Sequence, residues 1–124
     1  MTIFILLYSV SKGGKMLNQI VIAGRLTSDP QIVTTENNKK RTYITVAVPR
    51  AYKNVDGNYE TDFIQCTLWN GIAESCCEYC KKGDIVGVKG RIQTSNYEKD
   101  GEKIYKVDVI AEKVSFLSSK KPDE

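Results

Sequence analysis

Hydrophobic positions recur mostly at every second residue along this 124-residue chain, and helical spacing replaces that pattern in one place only. Leu17–Leu26 is apolar and β-branched and stops at the turn formers Thr27-Ser28-Asp29-Pro30, with Ile32–Thr34 as its expected extension. Thr42–Val48 alternates, with Ile44, Val46 and Val48 on one face and Tyr43, Thr45 and Ala47 on the other. Pro49 is expected to end it. Asp56-Gly57 marks a hairpin within the loop Ala51–Glu60, which carries Tyr52, Lys53 and Tyr59. Thr61–Trp69 alternates again, placing Ile64, Cys66 and Leu68 on one face and Phe63, Gln65, Thr67 and Trp69 on the other.

The helical stretch is Gly71–Lys82. Ile72, Ala73, Cys76, Cys77 and Cys80 share one side, Asn70 is the expected N-cap, and Gly83 is the expected stop. A long strand follows, Ile85–Tyr97. Its core face is Val86, Val88 and Ile92, its outer face carries Lys89, Arg91, Gln93, Ser95 and Tyr97, and Gly87 and Gly90 mark bends or bulges. Lys99-Asp100-Gly101-Glu102 closes a hairpin, and Lys103–Leu117 returns with Tyr105, Val107 and Val109 inward. Three strands, one helix and two strands predict an all-β, five-stranded OB-fold Greek-key barrel with the helix between strands 3 and 4. A ferredoxin-like fold would need two helices, and there is sequence for one.

Both termini fall outside this pattern. Ile3–Val10 is a short apolar run, too short to span a bilayer, and it lacks the flanks of a signal peptide. Lys12-Gly13-Gly14-Lys15 directly before Met16 can be encoded by a purine-rich ribosome-binding sequence. Residues 1–15 are therefore expected to be a mis-started or disordered leader. The working domain is expected at 16–117, followed by a short disordered C-terminus, 118–124.

Composition narrows the chemistry. Hydrophobic residues at 41% and charged residues at 27% exclude a disordered chain. The sequence has no histidine, which excludes histidine-based triads and histidine-containing zinc sites. Cys66, Cys76, Cys77 and Cys80 lack paired C-x-x-C knuckles and lie on predicted apolar faces, where cysteine serves as a small buried hydrophobe. No phosphate-binding glycine motif occurs and the acidic residues are scattered, so neither catalysis, a cofactor nor a metal is expected.

A net charge of +3 is too slight to indicate nucleic acid by itself, so the placement of charges must decide. Phe63 and Trp69 occupy outward strand positions, Tyr97 ends a face carrying Lys89 and Arg91, and Tyr52 stands between Arg50 and Lys53. Rings interleaved with cations suit single-stranded nucleic acid, because bases stack on the rings while phosphates pair with Lys and Arg. Taken singly, each residue has a plainer reading. Phe63 alone is ordinary surface or an oligomer contact, Trp69 alone is strand-end packing, Tyr52 alone is hairpin packing, and Lys89 and Arg91 alone solubilise a strand.

From Met16 to Leu117 the chain resembles the bacterial single-stranded DNA-binding protein (SSB) family. The match runs through Asn18–Pro30 (NQIVIAGRLTSDP), Ile44–Arg50 (ITVAVPR), Asp62–Trp69 (DFIQCTLW), Ala73–Gly83, Val86–Tyr97 (VGVKGRIQTSNY) and Val114–Leu117 (VSFL). The resemblance implies a cytoplasmic, nucleoid-associated homotetramer of OB barrels that wraps single-stranded DNA in replication, recombination or repair. It implies base stacking on Tyr52, Phe63, Trp69 and Tyr97, with Arg25, Arg50, Lys53, Lys89 and Arg91 as expected phosphate contacts. Two departures stand out. Family members usually end in an acidic tail with a hydrophobic terminus that recruits repair enzymes, whereas this sequence ends Lys120-Lys121-Pro122-Asp123-Glu124, as in a short accessory form or a shortened chain. Recruitment through such a tail is therefore doubtful. Residues 1–15 also precede the first strand, where oligomer contacts form in this family. Two other readings remain open: a primosome-like OB interaction subunit, and an RNA-binding OB module.

Overall fold

A computed structural model describes residues 16–119; the expected leader, 1–15, and most of the expected C-terminal segment, from 120 onward, lie outside the described residues. The strands are β1 (Ile20–Leu26), β2 (Val33–Thr34), β3 (Lys40–Lys53), β4 (Tyr59–Trp69), β5 (Ile85–Lys99) and β6 (Glu102–Ser118). One helix, α1 (Asn70–Tyr79), joins β4 to β5. The sheet order is β1-β5-β6-β4-β3-β2, and an extra β1–β3 pairing closes five of the strands into a barrel. All pairings are antiparallel except β4 with β6, which run parallel through Cys66–Val109 and Thr67–Ile110. Not counting β2, the helix falls between the third and fourth barrel strands, as the OB reading predicts.

Period-two alternation fills the interior. Leu26, Ile44, Val46, Cys66, Leu68, Val86 and Val88 are buried, with Ala73, Cys76 and Cys80 of the helix side closing one end. Burial raises the thiol pKa of Cys66 to about 11 and of Cys76 to about 12, so both act as neutral apolar groups. Close approach of strands requires glycine at two points. A Cβ at Gly24 would collide with the Ala47 carbonyl oxygen, and one at Gly90 with that of Ile110.

Several boundaries differ from the sequence reading. Ile32–Thr34 does not extend β1; Val33 and Thr34 pair instead with Arg41 and Lys40 of β3. Pro49 does not end its strand: it pairs with Thr61, and β3 runs on to Lys53 past an irregularity in its pairing with β4 between Pro49 and Lys53. The helix ends at Tyr79, with Cys80 extended, so Gly83 (φ +92°) serves the following turn rather than the helix. Asn70 does not cap it; its side-chain oxygen accepts from the Lys40 backbone N–H at 3.3 Å. The bend or bulge expected at Gly90 coincides with a register slip, whereas the ladder runs regularly through Gly87 itself. Register slips between Lys89 and Gly90, where β6 carries Glu112 as an extra residue.

The largest correction concerns the β5–β6 arm. Ile92, Tyr105 and Val107 follow the core parity but are exposed, whereas Val109 is buried. Beyond Ile20–Gly90, β1 no longer flanks β5, so the two-stranded hairpin leaves the barrel and its inner face meets solvent. Asp100 and Gly101, both at positive φ, form its two-residue turn between the paired Lys99 and Glu102.

Candidate nucleic-acid interface

Directly opposed residues of paired strands share a face, so register locates each outward side chain. One row crosses β1, β3 and β4 as Arg25, Ala47 and Phe63. Phe63 is 67% exposed, and small Ala47 helps to line a shallow apolar hollow beside Arg25. Arg25 is held by a 2.9 Å hydrogen bond from its Nη1 to the Gly83 carbonyl. A second row crosses four strands as Tyr43, Thr67, Ile110 and Arg91. Trp69 lies beside it, opposite Arg41. Six residues along β4 set Phe63 and Trp69 roughly 20 Å apart, at opposite ends of one outward face.

The other two predicted rings stand on arms. Tyr52 is 70% exposed at the end of β3, on the β3–β4 arm; Tyr97 is 50% exposed on the β5–β6 arm, opposite Ile104. The Lys53 ammonium sits 5.7 Å from the Tyr59 ring, a cation–π contact that places charge on the same arm as Tyr52. Lys89 is exposed between Val21 and Lys113. Arg91 donates to Gln93 at 2.8 Å and stands 4.0 Å from Glu112, a loose pairing.

Arg50 is placed differently from the other predicted cations. It lies on the face of the β3–β4 ribbon opposite Phe63 and Pro49, and it donates to Asp62 at 3.0 Å and to Glu60. The hydrogen bond from Arg50 is the main reason the Asp62 carboxyl is held below its ordinary value. Two carboxylates thus neutralise the charge that the sequence reading offered to phosphate.

Two residues of the face were missed in the sequence reading. Arg41 places its guanidinium 4.7 Å from the Tyr43 ring centroid and 5.9 Å from that of Trp69. Tyr43 is 41% exposed on the same outward face. The alternation of Thr42–Val48 already put Tyr43 outward, but only strand pairing shows that Trp69 is its diagonal neighbour.

A closed Greek-key barrel with one helix between its third and fourth strands, bearing rings and cations on its outer face, defines an OB-fold protein. Residues 17–117 match the single-strand binding protein family, and the chain belongs to that family. It is 43% identical over 106 residues to single-stranded DNA-binding protein B of Bacillus subtilis, covering 85% of this chain and 94% of that one. It is 45% identical to single-stranded DNA-binding protein 3 of Listeria innocua, again over 85% of this chain but 66% of the relative. A Bacillus cereus single-stranded DNA-binding protein is 46% identical over 82% of this chain and 61% of its own length. The chain thus spans nearly all of one relative and just under two thirds of the other two. Among the described residues, no helix is long and apolar enough to cross a membrane.

Proposed function

We propose that this protein binds and protects single-stranded DNA without sequence preference and without chemistry, serving replication, recombination or repair. The observation that carries the reading is the register: Arg25 with Phe63, Tyr43 with Arg91, and Arg41 with Trp69 lie in three rows on the outer face of one sheet. Tyr52, Phe63, Trp69 and Tyr97 stack bases, and Lys53, Lys89, Arg91 and Arg25 contact phosphates. Each stack contributes about 1–3 kcal/mol, and each neutralised phosphate adds about 0.7 to the log–log salt slope. Arg50 contributes less, because a phosphate must first displace Asp62 and Glu60.

Trp69 is the only tryptophan, so its fluorescence reports the site directly. Titration with oligo-dT at two salt concentrations is expected to quench it, saturably and less tightly at high salt. The double variant Phe63→Ala/Trp69→Ala, followed with labelled DNA, is expected to lose roughly 10²-fold or more in affinity at unchanged salt slope. Unchanged affinity in a folded, assembled double variant would end the stacking account. Equal affinity for oligo-U would favour the RNA-binding reading.

The functional unit we propose is a homotetramer acting in the cytoplasm at the nucleoid. Exposed Val21 and Leu117 border a shallow outer groove on β1, β5 and β6 that Lys89 and Lys113 also line. Light scattering is expected to give four times the 13.9 kDa chain mass. A dimer with feeble DNA affinity would favour the interaction-subunit reading.

A further inference from the structure

We propose that Tyr43, Arg41 and Trp69 form one composite subsite for adjacent nucleotides, in which Tyr43 is a fifth stacking ring and Arg41 is a positioning residue that fixes both rings and meets the phosphate between them. The inference rests on the single-stranded DNA reading and adds two residues to it. Three observations support the assignment.

The first is geometric. Arg41 lies directly opposite Trp69 on the β3–β4 ladder, and Tyr43 is two residues further along β3, opposite Thr67. All three therefore project from one face, and the guanidinium lies within cation–π distance of both rings. One cation touching two rings restricts both, so the subsite loses less side-chain entropy when a base stacks.

The second is exposure. Thr67 points outward by parity yet is buried, so its neighbours close over it, while Tyr43 remains 41% exposed. A tyrosine used only as cross-strand filler would spend both of its faces on protein; this one keeps surface for a ligand.

The third is charge. Among the described residues Arg41 has no carboxylate within ion-pair distance, whereas Arg50 on the same strand has two. Lys40 beside it is paired with Glu74 at 3.0 Å, which ties the start of β3 to α1 and leaves the positive field here to Arg41. Arg91 closes the far end of the row that Tyr43 begins, so a phosphate path with a cation at each end crosses the four strands.

The test uses the full chain, labelled oligo-dT and matched oligomeric state. Tyr43→Thr keeps a good strand former and removes the ring; it is expected to weaken binding about five- to a hundredfold at unchanged salt slope, and Tyr43→Phe to restore it. Arg41→Met is expected to lower the salt slope by about 0.7 and to shift the emission of Trp69 in the free protein. Arg41→Lys should restore the slope but not the emission, because an ammonium lacks the planar fork. Wild-type binding with Tyr43→Thr unchanged, its fold confirmed by circular dichroism, would overturn the subsite and leave the DNA reading intact. Failure of the wild type itself to bind would overturn both.

Discussion

Arg50 and Arg41 stand nine positions apart on β3 in opposite surroundings, the one between two carboxylates and the other between two rings. Arg50 is bound to Asp62 and Glu60, so Asp62→Asn with Glu60→Gln is expected to free it, tightening oligo-dT binding and steepening the salt slope by about 0.7. The pair also links to pH. Because Asp62 is held below its ordinary 3.8, its share of stability is present above that value and is lost as pH falls through the lowered one. Both partners are exposed, so the effect on an acid-unfolding curve should be small. The buried thiols act at the other end of the scale. Cys76 is held at about 12 against an ordinary 9.0, so stability is full below pH 9 and is lost as pH rises from there toward 12. A thermal midpoint falling across that window, with Cys76 inert to thiol reagents at pH 8 until denaturant is added, would bear this out.

Within elements, glycines separate packing from turn geometry. Gly90 sits where β5 crosses β6 so closely that a methyl group meets the Ile110 backbone, and backbone cannot swing aside as a side chain can. Gly57, at φ +81°, faces open space and carries only a conformational demand. Gly90→Ala is therefore expected to cost about 1–3 kcal/mol or more and Gly57→Ala nearer 1 kcal/mol, read as the order of their thermal midpoints. The arms obey a different balance. β5 and β6 continue well past the point where β1 leaves them, so the hairpin depends on its own ladder and on the Asp100-Gly101 turn. Such a two-stranded ribbon has little packing of its own, so its ladder and turn carry its stability.

For the whole molecule, closure of the barrel turns alternating strands into an inside and an outside, and strand order decides which outward residues become neighbours. The parallel β4–β6 contact brings Arg91 into the same row as Tyr43, although 48 residues separate them in sequence. The family match begins at residue 17, and the barrel core is complete within the described residues. A chain started at Met16 is accordingly expected to bind oligo-dT with the affinity of the full chain. A loss on removing residues 1–15, by the same fluorescence titration, would assign that segment a role in binding or assembly.

By itself the sequence determined the strand faces, the helix between the third and fourth barrel strands and the hairpin turns, because local alternation and the Asp-Gly pairs act within a few residues. Ile44, Val46, Cys66, Leu68, Val86 and Val88 were legible as core for that reason. So were the outward placements of Phe63 and Trp69. Tertiary structure alone decided where alternation stops meaning burial, as at Tyr105 and Val107, since inward parity buries a residue only where another strand or the helix stands opposite. It also decided which cations remain available. Pairing Arg50 with Asp62 and Arg41 with Trp69 depends on β3–β4 register, a long-range property that no local pattern carries.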